Sequence, residues 1–266
     1  MKQIGFVLTL SVFSFWAGMN TLVLLRQREL ASLDQFRAGF THFLGSNFLR
    51  EQWMSIYKKN KKIGYVGYRF EKVFALERVE IHSTMESKVK IDLLGIEQWI
   101  ELDGNLLADK EMRPISLRLD VSMQNEPFAT LLGRRERGKL AVTLKTGGQS
   151  VQLPSFPLEE LHLGNALVPT IPIAGFQVGD SYKVSCFDPL TWGPEMITVT
   201  VTAKETRDID GLPLDVYRLE STFRGVKNKS WVTDAGELIL QELGPPFEDV
   251  VLRRDEARDA KRINKK

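Results

Sequence analysis

Between Val178 and Leu243 apolar and polar side chains alternate with a period of two, interrupted at short intervals by turn residues. Ile197, Val199 and Val201 alternate with Thr198, Thr200 and Thr202. Val216 and Leu219 fall in the next run, and Trp231, Leu238 and Leu240 in the two after it. Asp188-Pro189, Gly193-Pro194, Asp210-Gly211, Arg224-Gly225 and Ala235-Gly236 punctuate these runs. A strand of period two buries one face and wets the other, so the stretch predicts an antiparallel meander.

The same grammar holds upstream. Glu51 to Ala75 predicts a hairpin, with Trp53, Ser55 and Tyr57 on one face, a turn at Lys58 to Lys62, and a second strand from Ile63 to Phe74. Gly64 and Gly67 inside that strand point to a bulge or bend that curls the sheet. Further strands are predicted at Arg78 to Leu93, Glu97 to Leu102, Ile115 to Met123, Pro127 to Arg135 and Lys139 to Lys145. Their turns fall at Asp103-Gly104, Arg113-Pro114, Asn125-Glu126, Arg137-Gly138 and Gly147-Gly148. Leu153 to Phe176 breaks the pattern. Prolines at 154, 157, 169 and 172 bracket a short predicted helix, Leu158 to Val168, and the apolar loop Pro169 to Phe176 reads either as a lid or as a crossover between two halves of one sheet.

The N-terminus has a different period. Ile4 to Leu25 carries no charge, and as a helix this run reaches about 33 Å, enough to span a bilayer. It is longer than an ordinary signal-peptide core and no small-x-small cleavage site follows it, so an uncleaved single-pass anchor over 1–28 is expected. From Glu29 to Phe48, Leu30, Leu33, Phe36, Phe40, Phe43, Leu44 and Phe48 recur at three-and-four spacing. This predicts an amphipathic helix over 29–48 whose apolar stripe docks on the membrane or a partner, or packs on the following domain. The domain plan is therefore an anchor, a juxtamembrane helix, a β domain over 49–260 and a basic tail over 261–266.

Charge excludes more than it identifies. Lysine and arginine number 36 against 34 acidic residues, which leaves no nucleic-acid footprint. Cys186 is the only cysteine, so neither an internal disulfide nor a cysteine-based metal cluster can form. His42, His82 and His162 are dispersed, and no HExxH, nucleophile elbow or phosphate-binding glycine loop occurs. Asp103, Asp210 and Asp234 flank glycines, where turn hydrogen bonding accounts for them. No catalytic residue, cofactor or metal is expected.

A set of short motifs adds a resemblance. Trp53 with Lys62-Ile63-Gly64-Tyr65, Val178-Gly179-Asp180 followed by Phe187-Asp188-Pro189, and Trp231-Val232-Thr233-Asp234-Ala235-Gly236-Glu237-Leu238 occur in that order. Together with the ending Leu252-Arg253-Arg254-Asp255-Glu256-Ala257, they resemble the β-rich bacterial envelope domain found upstream of transglutaminase-like domains or standing alone. That domain is distantly similar to lipoprotein-carrier (LolA/LolB-like) sheets. The resemblance covers residues 50 to 260. It implies a mostly β fold, a strongly curved antiparallel sheet or half-barrel, on the periplasmic side of the inner membrane, often with a hydrophobic concave face and without agreed catalytic residues.

On this reading Trp53, Tyr65, Tyr68, Trp99, Phe176 and Trp192 either hold an acyl chain or fill a core. The functional expectation is a non-enzymatic module that binds a lipid, an acyl chain or a partner protein. The alternative is an accessory subunit of a membrane complex such as a transporter, tethered through the N-terminal segment and Leu30, Leu33, Phe36, Phe40, Phe43 and Phe48.

Overall fold

Four hairpins close through two-residue turns in which both central residues have positive φ. The values are 49° and 63° at Lys59-Asn60, 53° and 67° at Gln124-Asn125, 48° and 78° at Arg137-Gly138, and 55° and 76° at Gly147-Gly148. This is the type I′ geometry, whose twist matches that of the strands it joins. The computed structural model describes residues 49–263 apart from 76–77, 94–95, 111–112, 158–163, 166–175, 189–192, 210, 224 and 246. The expected anchor over 1–28, the helix over 29–48 and the last residues 264–266 therefore lie outside the described residues. Among the described residues no helix is long and apolar enough to cross a membrane.

The first meander comprises β1 (Leu49–Lys58), β2 (Lys61–Ala75), β3 (Arg78–Leu93), β4 (Ile96–Asp109), β5 (Pro114–Met123), β6 (Glu126–Glu136), β7 (Lys139–Thr146) and β8 (Gln149–Pro157). The second comprises β9 (Gly164–Asn165), β10 (Ser181–Asp188), β11 (Gly193–Ile209), β12 (Leu212–Phe223), β13 (Val226–Val232), β14 (Leu238–Leu243) and β15 (Val250–Asp255). A short helix, α1 (Ala257–Lys261), follows. All fifteen strands belong to one sheet, ordered β8-β7-β6-β5-β4-β3-β2-β1-β15-β14-β13-β12-β11-β10-β9. Every neighbouring pair is antiparallel except β9 on β10. The meanders meet where β1 pairs with β15, with Ile56 opposite Leu252 and Trp53 opposite Asp255.

Chain length dictates the curl. Laid flat, fifteen strands at about 4.8 Å spacing would put the edges roughly 67 Å apart. Yet Pro157 ends one edge strand and Gly164 begins the other, and the intervening steps reach at most about 25 Å. The sheet must bend until its edges face each other. It does not close: among the described residues β8 hydrogen-bonds only to β7 and β9 only to β10.

Several turn and loop expectations change. Asp103-Gly104 is not a turn, since β4 runs through it. A Cβ on Gly104 would lie 3.3 Å from Met85 and 3.7 Å from Leu119, so the glycine makes room between neighbouring strands. Leu153 to Pro157 belongs to β8, where an edge position and a register shift between Leu140 and Val142 accommodate proline. Gly193-Pro194 opens β11 rather than forming a turn. Gly164–Asn165, inside the predicted helix Leu158 to Val168, forms β9. The β domain ends on the helix Ala257–Lys261, with Ala260 fully buried. The bend predicted from Gly64 and Gly67 is present: the β1–β2 register shifts between Ile56 and Tyr57. A Cβ on Gly64 would come within 2.2 Å of the Lys88 carbonyl oxygen, and one on Gly67 within 2.4 Å of the Trp53 ring.

Candidate functional site: the concave face

Register assigns each side chain to a face. One cross-strand row reads Tyr68, Met85, Gly104, Leu119, Leu131, Leu144 and Val151 from β2 to β8. The row beside it reads Val66, Ser87, Leu102, Val121, Ala129, Thr146 and Gln149, and a third reads Gly64, Val89, Ile100 and Met123. None of these residues is charged. Leu131, Leu140 and Val142 are buried on this face with Leu117, Leu119, Leu144 and Leu153 packed around them. Met85, Ile100, Leu102, Leu119, Val121 and Met123 are only half-buried, although their strands lie well inside the sheet.

The same face continues around the curl. Met54, Val66 and Tyr68 share one buried cluster with Phe176, Tyr182, Ile197, Val199, Val201, Leu219, Val232, Leu238 and Leu252. This cluster runs unbroken along one face from β2 round to β10 and its members are 0–7 % exposed although all the strands form a single sheet, so we assign it to the side the curl encloses, the concave side. A separate cluster of Val216, Trp231, Ile239 and Leu240 packs on the convex side of β12 to β14. There Trp231 Nε1 donates to Glu205 at 2.6 Å and the Arg207 guanidinium stacks 4.0 Å from the indole.

Opposite-phase residues make the convex side ionic. Lys88 pairs with Glu101, Arg118 with Asp120 at 2.6 Å, and His82 bridges Glu71 and Asn105 at 2.9 Å to each. Glu86, Asp103 and Asp120 stand directly opposite one another across β3, β4 and β5. They line a groove of about 490 Å³ together with Glu51, Trp53, Arg69 and Arg118. Desolvation by the groove, then the charges of Glu86, Glu101 and Asp120, raise the Asp103 carboxyl above its ordinary range. The Arg118 hydrogen bond instead holds Asp120 low. Lys261 of α1 reaches the groove, 2.7 Å from Glu86 and 4.5 Å above the Trp53 ring. Tyr65 donates to the other Glu86 oxygen at 2.7 Å, and its burial and this bond push the phenol pKa up. The expected turn role of Asp103 is thus replaced by a place in a like-charge row, which period-two reading cannot reveal without knowing the partners.

The aromatics singled out in the sequence do not share one face. Tyr68 and Phe176 lie in the concave cluster, Phe176 with its ring 5.3 Å from Tyr217. Trp53, Tyr65 and Trp99 lie on the convex side, Trp53 and Tyr65 in ring contact at 6.0 Å and Trp99 beneath Lys88. Trp192, like the six apolar residues of the juxtamembrane helix, falls outside the described residues. Cys186 stands in β10 opposite Glu195. Among the described residues no three His, Cys, Asp or Glu side chains are grouped to share a metal ion.

Sequence reasoning missed one polar feature of the concave face. Ser221, Asn228, Ser230 and Gln241 point inward from β12, β13 and β14, at 9 %, 7 %, 2 % and 0 % exposure. Both amide atoms of Gln241 and Oδ1 of Asn228 lack a hydrogen-bond partner. Such groups each cost about 1–3 kcal/mol when left dry. Their signal was their phase: they occupy positions where the alternation of β13 and β14 calls for apolar side chains. Chemically, the concave face can accept an apolar body with an uncharged polar group, whereas the convex groove suits cations.

No family model matches the chain, and no curated protein matches it either. Among solved structures, the chain is similar to the crystal structure of a β-barrel-like protein of a domain of unknown function, DUF1849, from Brucella abortus. The two share 11 % identity over 79 % of this chain and 95 % of that one, with a TM-score of 0.50, a likeness of fold to a β-rich bacterial domain.

Proposed function

We propose that the protein is a non-enzymatic, membrane-anchored module of the bacterial envelope that binds a hydrophobic ligand, a lipid or acyl chain, on the concave face of its sheet. The observation that carries this reading is the uncharged character of three adjoining concave rows from β2 to β8, combined with the half-burial of Met85, Ile100, Leu102, Leu119, Val121 and Met123 within them. Apolar surface left partly open inside a curl gains free energy when another apolar surface removes it from water, at about 25 cal/mol per Å². The apolar run Ile4 to Leu25 supports anchoring. The resemblance to envelope domains associated with transglutaminase-like proteins and to lipoprotein-carrier sheets supports a periplasmic location and a lipid-type ligand.

A second reading rests on a different observation. Among the described residues strand β8 has no partner beyond β7 and its Val151 is 47 % exposed, so a partner strand could extend the sheet there. In that reading the protein is an accessory subunit of a membrane complex. Native mass spectrometry of the chain from Ser46 onward, with organic extraction of bound material, separates the two. Stoichiometric lipid supports the carrier reading. An empty, monodisperse domain removes it and directs attention to partners of the β8 edge.

A further inference from the structure

The inward polar residues form a contiguous patch. Gln241 stands opposite Ser230, Asn228 stands opposite Ser221, and Asn228 and Ser230 are two residues apart on β13. The patch is framed by apolar neighbours in register. One row reads Leu252, Gln241, Ser230, Leu219 and Val201, and the next reads Leu243, Asn228, Ser221, Val199 and Tyr182. No charged side chain stands in either row. Among the described residues of these two rows an amphiphile's carboxylate would find no cation and an ammonium no counter-charge, so burying either against them would be far costlier than burying a neutral group. The unpartnered atoms include a donor, Gln241 Nε2, and two acceptors, Gln241 Oε1 and Asn228 Oδ1. A hydroxyl or an amide, which both donates and accepts, is the complement of that set.

We propose that Gln241, Asn228, Ser230 and Ser221 form the polar-head site of the interior ligand, and that the head is an uncharged hydroxyl or amide carried on an apolar chain. This rests on the concave-face reading and specifies its ligand. Orientation follows from it: the head lies against β13 and β14, and the chain extends along the uncharged rows toward β2 and β3.

The test is equilibrium dialysis of the full chain, held in solution by an amphipol, against radiolabelled 1-decanol and, separately, decanoate at pH 8. Wild type should bind about one decanol per chain and decanoate roughly tenfold more weakly or worse. Gln241→Met, close to glutamine in shape, should weaken decanol by roughly tenfold while melting at or above the wild-type temperature, because an unpaired buried amide has been removed. Asn228→Leu should act in the same direction, and Ser230→Ala, the smallest change, should weaken decanol while keeping the wild-type fold. If decanol and decanoate bind alike and Gln241→Met changes neither, the concave face binds ligand but the head site is wrong, and an ordinary buried water accounts for the patch. If Gln241→Met melts below wild type without ligand, the amide already has a partner and the inference is overturned. If wild type binds neither compound, the hydrophobic-ligand reading itself falls.

Discussion

Asp103 shows how one side chain can be at odds with its surroundings. It faces Glu86 on one side and Asp120 on the other, and like charges directly opposite across strands repel. Arg118 neutralises Asp120 and Lys261 pairs with Glu86, which leaves Asp103 with only the more distant attraction of Lys261. Its folded pKa is raised above the ordinary value of 3.8, so the folded state disfavours the charged form. The cost is present in full above the folded pKa and vanishes as pH falls below the unfolded value. Asp103→Asn should therefore stabilise the protein at pH 7, by under about 1 kcal/mol given the side chain's exposure. In urea unfolding series the gap to wild type should close by about pH 3, and a gap that widened on acidification would contradict this assignment.

The pairing of β1 with β15 decides whether two meanders behave as one body. All other strand pairs join sequence neighbours, and most of these were legible in the sequence because turn residues and period-two alternation are local signals: Arg78–Leu93 was bounded to the residue, and Arg137-Gly138 and Gly147-Gly148 lie where type I′ turns need them, whereas β8 and β9 fell in the Pro-rich stretch whose alternation is broken. What could not be read was non-local. Nothing in Trp53 or Asp255 alone announces that they face each other, and Gly104 looked like a turn because its reason for being glycine lies on β3 and β5. The concave site was legible as apolar alternation. Trp53, Tyr65 and Trp99 stand on the other face by phase: Tyr65 and Tyr68 are three residues apart on β2 and so point to opposite sides, while the faces of Trp53 and Trp99 follow from their partners Gly67 and Lys90 on other strands. Leu252, 4 % exposed, sits at the seam between Ile56 and Gln241. Leu252→Ala should cost about 2–5 kcal/mol through the cavity it leaves. Since the seam is shared, loss should appear as one earlier transition, with convex Trp231 and the amides of β6 and β7 unfolding together in fluorescence and hydrogen exchange. Separate transitions would mean that the halves fold independently.

At the scale of the whole molecule, the two faces are alternatives written residue by residue along each strand, and adjacent positions test which one carries function. Glu101 and Leu102 are neighbours on β4. Glu101 points to the convex side and pairs with Lys88, whereas Leu102 points to the concave side between Ser87 and Val121. Both are half-buried, so a lysine at either position keeps its ammonium near water at comparable structural cost. Glu101→Lys removes one half-buried ion pair and places two lysines opposite each other, a loss of about 1 kcal/mol. It should leave uptake of a fluorescent acyl probe at the wild-type level. Leu102→Lys introduces a charge into rows that carry none among their described members, and displacing its water to seat an apolar chain would cost more than the chain gains there. Acyl-probe binding should fall by at least roughly tenfold while the circular dichroism spectrum stays that of a β sheet. Equal losses from both substitutions would show that the probe reads general stability. A loss confined to Glu101→Lys would move the binding face to the carboxylate groove that Lys261 now enters.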